Sequence, residues 1–138
     1  FEVINNIIHV ISLSLENNAP DIEIQVDPQR TEQVIGNLIS NALRYVPTGG
    51  DVRVVVEKHD NLVRLHVIDN GPGVPAKDLP HLFQRFWRGE KSRSRASGGA
   101  GLGLAIASQL VEVQGGSIEA VNLPEGGLRV SIEFSLVV

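Results

Sequence analysis

Residues 27–50 read DPQRTEQVIGNLISNALRYVPTGG, and the fold is decided there. From Gln29 to Val46, the apolar positions Val34, Ile35, Leu38, Ile39, Ala42, Leu43 and Val46 fall on one side of a helix at 100° per residue. Gln33, Asn37, Asn41 and Arg44 gather on the other. Pro47-Thr48-Gly49-Gly50 ends the helix, because proline has no donor N–H and glycine permits a left-handed turn. Downstream, 51–59 and 62–69 are β-branched and alternating about Asp60-Asn61, which predicts an antiparallel hairpin. A further amphipathic helix carries Leu102, Leu104, Ala105, Ile106, Leu110 and Val113 and ends at Gly115-Gly116; 117–122 and 128–136 make a closing hairpin. Between the hairpins, a short helix is expected around 78–86 and a mobile loop over 91–101, a tract rich in Ser, Gly and basic residues.

Upstream, Val3, Ile4, Ile7, Ile8 and Ile11 have helical spacing, and 12–16 alternates as a strand with no turn residue between the two. Asn17 to Pro20 make a turn, after which Ile22, Ile24 and Val26 predict a short strand ending at Asp27-Pro28. The order of elements predicts an α+β domain, a two-layer α/β sandwich with helices on one face of a mixed, mostly antiparallel sheet. At 138 residues and 42% hydrophobic content, one domain with a real core is expected, not a disordered chain or a disulfide-stapled miniprotein. With no cysteine, thiolate nucleophiles and thiolate metal sites are excluded, and a reducing compartment is favoured. A net charge of -4 gives no general attraction to nucleic acid or anionic lipid. No apolar run reaches the roughly 20 residues of a membrane span, and a start at Phe1 reads as part of something longer.

Four short tracts carry candidate chemistry. Asn37 and Asn41 stack one helical turn apart beside Arg44, and amide oxygens suit a hard cation such as Mg²⁺, although an isolated pair of this spacing is more often a solvated helix face. Asp69-Asn70-Gly71-Pro72-Gly73 ends an apolar strand. There a carboxylate could accept the exocyclic amine of adenine, Gly71 and Gly73 admit a flat base, and Ile68 and Val74 offer apolar walls; a plain turn is the rival. Gly98-Gly99-Ala100-Gly101-Leu102-Gly103 opens a helix, where N–H groups can hold phosphate oxygens, and it matches neither the P-loop nor the dinucleotide glycine pattern. Arg85, Arg88, Lys91, Arg93 and Arg95 stand beside Phe83, Phe86 and Trp87, a segment suited to a polyphosphate and less well to nucleic acid. His9, His59, His66 and His81 have no metal-ligand spacing.

In this order the tracts resemble the ATP-binding catalytic domain of bacterial sensor histidine kinases, within the superfamily of gyrase, heat-shock-chaperone and mismatch-repair ATPases. Asp27 through Tyr45 looks like its asparagine box, Asp69 to Gly73 its first glycine box, Phe83 to Arg88 its phenylalanine box and Gly99 to Leu104 its second glycine box. The resemblance implies the Bergerat α/β sandwich over 1–138, with a lid at about 85–101, and the cofactors ATP and Mg²⁺. It implies that Asn37 binds the metal, that Asn41 and Arg44 contact the metal-phosphate group, and that Tyr45 packs near the nucleotide. Asp69 would read the adenine amine, with Gly71, Gly73 and Val74 around the base. Arg88 would reach the γ-phosphate and, with Asn37, serve catalysis. Gly99 and the N–H groups of Gly101, Leu102 and Gly103 would cradle the phosphates.

The expected reaction is phosphoryl transfer from ATP to a histidine on a separate dimerisation domain, in two-component signalling with a response regulator. The acceptor histidine is expected elsewhere, so this domain should be monomeric, cytoplasmic, not itself inserted in a membrane and without a nucleic-acid partner. Gln33 stands one turn before Asn37, where the water-splitting members of the superfamily carry a glutamate base; an amide cannot take up that proton. Imidazole is already a nucleophile near neutral pH, so histidine transfer tolerates Gln33 better than an anti-sigma-type serine kinase would, whose hydroxyl substrate needs a base more; a non-catalytic nucleotide-binding regulator, the other alternative, is disfavoured because Asn37, Arg88 and the second glycine box are all intact. Three positions depart from the family: Arg44 replaces the commoner lysine, Leu128 follows Glu125-Gly126-Gly127 where a hydroxyl residue is usual, and the join near Ile11-Ser12 is abrupt.

Overall fold

The computed structural model describes residues 12–19, 24, 26–47, 49–85 and 103–135. Strand β1 (Ser12–Asn17) leads to helix α1 (Pro28–Tyr45), then to β2 (Asp51–His59) and β3 (Leu62–Asp69). Helix α2 (Gly103–Glu112) and the hairpin of β4 (Ser117–Asn122) and β5 (Leu128–Ser135) complete the fold. The sheet order is β1-β2-β3-β5-β4. β1 runs parallel to β2 and every other pair is antiparallel, the mixed, mostly antiparallel sheet expected.

α1 starts where it does because Asp27 is extended and its Oδ1 accepts from the N–H groups of Gln29 and Arg30 at 3.0 and 3.1 Å. Pro28 then occupies the first turn, where its missing donor is no loss. The helix stops at the extended Val46, just before Pro47. Its buried stripe is Val34, Leu38 and Ala42, spaced four apart; Val34 is 0% and Leu38 1% exposed. The stripe packs with Leu104, Ala107 and Val111 of α2 and with Val52, Val54, Val67 and Val130 of the sheet.

Strand alternation decides what reaches this interface. Val54 pairs with Val67, and Leu65 with Ile132, so Val63, Leu65, Val67 and, two residues on, Asp69 share the helix-covered face. In β4 the same face carries Ile118, Ala120 and Asn122, opposite Ile132, Val130 and Leu128. The other face bears a polar ladder. His66, 7% exposed, has Nδ1 2.6 Å from Ser131 Oγ and Nε2 2.8 Å from Glu57 Oε1, and His59 Nε2 reaches the same carboxylate oxygen at 2.8 Å. Hydrogen bonds from His66 and then His59 hold the Glu57 carboxyl below its ordinary range. Beside them Arg64 Nε donates to Glu133 Oε2 at 3.0 Å.

Two expectations are corrected. Of the expected short strand, Ile22 lies outside the described residues, and Ile24 and Val26 belong to no strand. Their apolar side chains pack against the core instead. The helix expected around 78–86 reduces to one 3-10 turn, Leu79–His81. The backbone bonds there span three residues, from Asp78 to Pro75, His81 to Asp78, Leu82 to Leu79 and Gln84 to His81, and this tight path is enough to set Leu79, Leu82 and Phe83 against the core. The expected helix over 1–11 and the loop over 91–101 lie outside the described residues.

Candidate functional site

Asp69 ends β3 on the helix-covered face and is 6% exposed. A carboxylate so placed must be hydrogen-bonded. Its Oδ1 accepts from the Gly71 N–H at 2.9 Å and from the Leu128 N–H at 3.2 Å. Burial raises the carboxyl pKa above its ordinary value, and the two backbone donors oppose that rise. Among the described residues both hydrogen bonds to the carboxylate fall on Oδ1, which leaves Oδ2 able to accept from a ligand. An exocyclic amine is such a donor. The main chain is close on both sides: a Cβ on Gly71 would lie 3.2 Å from Asp69 Oδ1 and 3.1 Å from the Tyr45 carbonyl oxygen. Gly127, at φ +99°, brings Leu128 into line, and a Cβ there would overlap the Asp69 carbonyl. Leu128 therefore contributes its N–H to the carboxylate while its side chain, 5% exposed, joins the core.

The second cluster lies on α1. Asn37 is half-buried, and its Nδ2 donates to the Gly103 carbonyl at 3.2 Å, across the gap to the first turn of α2. With the amide nitrogen held by a carbonyl, the oxygen Oδ1 is the atom left to present. At the other end of the helix pair, the Asp27 N–H donates to Gln114 Oε1 at 2.6 Å, and Gln114 Nε2 donates to the Leu110 carbonyl at 3.0 Å. α2 is thus tied at both ends, to the middle of α1 and to its N-cap. Asn41, Arg44 and Tyr45 follow on α1, each half-buried, and Gln33 is exposed one turn before Asn37. Among the described residues no three His, Asp or Glu side chains converge to hold a metal ion, so a cation at Asn37 needs most of its oxygens from a ligand and water.

Of the residues singled out in the sequence, Asp69, Gly71, Gly73 and Val74 come together at one end of β3, and Asn37 meets Gly103. Arg88, Gly99, Gly101 and Leu102 lie outside the described residues. Residues 26–138 match the family described as histidine kinase-, DNA gyrase B- and HSP90-like ATPase. The chain belongs to this ATPase family.

The chain is 43% identical over 125 residues to the signal transduction histidine-protein kinase BaeS of Escherichia coli, covering 90% of this chain and 27% of BaeS; it spans about a quarter of that relative. It superposes on full-length ShkA in complex with AMPPNP with a TM-score of 0.82 and 27% identity, over 99% of this chain and 28% of that one. Histidine kinase ThkA in complex with the response regulator TrrA gives 0.79 and 25%, over 99% and 36%. Nucleotide binding comes with membership of an ATPase family, and among the described residues no helix is long and apolar enough to cross a membrane.

One residue of this site went unread in the sequence. Asn122, at the end of β4, accepts from the Val74 N–H through Oδ1 at 2.9 Å and donates to the Val74 carbonyl through Nδ2 at 2.6 Å. Its signal was present: Ile118 and Ala120 set the buried face of β4, and a polar residue at the next position of that alternation needs a buried partner.

Proposed function

We propose that the chain is the ATP-binding catalytic domain of a sensor histidine kinase, and that it binds Mg-ATP and delivers the γ-phosphoryl group to a histidine on a separate dimerisation domain. The observation that carries the reading is the Asp69 carboxylate, buried, with two backbone donors on Oδ1 and, among the described residues, none on Oδ2. Oδ2 accepts from the adenine amine, Gly71 and Gly73 leave room for the ring, and Val74 covers it. The kinships to BaeS, ShkA and ThkA support the rest.

In this reading Asn37 presents Oδ1 to Mg²⁺ while Gly103 holds its amide nitrogen. Asn41 and Arg44 contact the metal-phosphate group from the next turn, and Tyr45 closes the site at the helix end. Arg88 binds the γ-phosphate, and Gly99 with the N–H groups of Gly101, Leu102 and Gly103 holds the phosphate chain. Bound Mg²⁺ supplies charge neutralisation of the triphosphate. Exposed Gln33 offers no carboxylate to take a proton from water, which favours an imidazole acceptor over hydrolysis. The phosphorelay continues to a response regulator, the class of partner held by ThkA in its complex, and the domain works in the cytoplasm as a monomeric module.

Titration with a non-hydrolysable ATP analogue, with and without Mg²⁺, tests the site. Binding that strengthens with Mg²⁺ is expected. Labelled ATP with a separately supplied histidine-bearing dimerisation domain then tests transfer, through an acid-labile phosphoprotein. No Mg-ATP binding at millimolar concentration, or binding without transfer, would overturn the respective half of the proposal.

A further inference from the structure

Resting on the reading of Asp69 and its loop as an adenine site, we propose that Asn122 is a positioning residue for base recognition. β4 ends with Asn122 on the helix-covered face, and its partner across the hairpin is Leu128, whose N–H holds Asp69 Oδ1. From that place the Asn122 amide takes both backbone groups of Val74, as acceptor and as donor. It thereby fixes the peptide planes that follow Gly73, in the manner of one rung of an antiparallel ladder made by a side chain.

The loop has been shaped around this amide. Gly73 sits at φ +73°, and a Cβ there would come within 2.8 Å of Asn122 Oδ1 and 3.3 Å of the Gly127 carbonyl oxygen. The hairpin side is equally fixed, since the Leu123 N–H bonds to the Gly127 carbonyl and the Gly126 N–H to the Leu123 carbonyl. One turn of the β4–β5 hairpin therefore sets both edges of the base site: Leu128 aims the carboxylate, and Asn122 sets the height of Val74 opposite it. The amide is used at both ends. Aspartate would keep the acceptor and place a carboxylate against the Val74 carbonyl, and serine can make one of the two bonds. The triphosphate side of the site, on α1 and at the start of α2, receives no bond from Asn122.

The test separates base from phosphate. Affinities of wild type, Asn122→Ala, Asn122→Ser and Asp69→Asn are measured for Mg-ATP analogue, adenosine and Mg-tripolyphosphate, with amide hydrogen exchange at Val74 followed in the ligand-free protein. Asn122→Ala is expected to weaken ATP and adenosine binding about tenfold, the scale of two backbone hydrogen bonds lost, with tripolyphosphate unchanged, and to speed exchange at Val74. Asn122→Ser should recover part of the loss. In an Asp69→Asn background the Asn122→Ala loss should shrink, because the two act on the same bound ring. Equal weakening of ATP and tripolyphosphate would make Asn122 a general structural residue and overturn the inference, as would a variant that binds adenosine like wild type. A wild-type protein that binds tripolyphosphate but not adenosine would overturn the adenine-site reading itself.

Discussion

Replacing Asp69 by asparagine isolates the chemistry of one oxygen. Asparagine keeps Oδ1 for the Gly71 and Leu128 N–H groups but turns Oδ2 into an N–H donor facing the adenine amine. A hydrogen bond to a charged acceptor is worth about 1.5–3 kcal/mol, and a buried donor left facing another donor costs about 1–3 kcal/mol more. Taking about 2.5 kcal/mol as the lower sum, ATP affinity should fall at least roughly 60-fold, at about 1.4 kcal/mol per decade. Stability should move the other way. Burial raises the Asp69 pKa, so the native state holds that proton more tightly than the unfolded chain does. The contribution of this group to stability is greatest below the ordinary carboxyl range, falls as pH rises through the raised value, and remains lowered at neutral pH. Asparagine removes that burden, so the ligand-free variant should melt at or above the wild-type temperature near pH 7. Calorimetric titration with ATP and with inosine triphosphate, whose ring bears a carbonyl in place of the amine, reads the first effect: ATP weakens and the inosine nucleotide gains relative to it. An Asp69→Asn protein that binds ATP within about threefold of wild type would refute the reasoning, because the open oxygen would then face no amine.

Asn37→Asp should abolish the Mg²⁺-dependent gain in nucleotide affinity although carboxylates ligate Mg²⁺ well, because the new oxygen would oppose the Gly103 carbonyl that Nδ2 now binds; a metal titration that matches wild type counts against this. Gly127→Ala should destabilise the domain by about 2 kcal/mol or more, from a left-handed residue given a side chain, and should disturb the Asp69 carbonyl, as read by urea unfolding. Leu38→Ala, at a site 1% exposed, should cost about 2–5 kcal/mol in the same assay. Glu57, whose pKa is lowered by His66 and His59, contributes stability that is present above the ordinary carboxyl range and lost as pH falls through its lowered value. Glu57→Gln should therefore flatten the acid limb of the stability profile, and an unchanged limb would show that the ladder does not contribute.

Much of the architecture was legible because period and punctuation agree. Val34, Leu38 and Ala42 mark one helical face, Asp27-Pro28 and Pro47 bracket it, and Asp60-Asn61 turns the first hairpin. What failed depended on partners. Alternation in Ile24 and Val26 is real, yet both side chains are partly buried by packing against the core without any pairing to the sheet. Leu79, Leu82 and Phe83 have helical spacing, but a 3-10 turn buries them as well. At the site, Asp69 announced itself as an acid at the end of an apolar strand. The departure at Leu128 looked like a lost hydroxyl contact, and the sequence could not show that its N–H supports the carboxylate directly. The alternation of β4 did mark Asn122 as a polar residue on the covered face, and what the sequence could not show is its partner, Val74, 48 residues away.

The donors on Asp69 come from Gly71, two residues on, and from Leu128, 59 residues on. During synthesis the ribosome exposes the carboxylate, its loop and the whole of α1 well before β5 exists. Until that last hairpin docks, Asp69 lacks half of its support and no nascent chain has a finished pocket. If Asp69 reads the nucleotide as proposed, capture depends on completion of the domain, and a polypeptide ended before β5 should bind nucleotide more weakly than the whole domain.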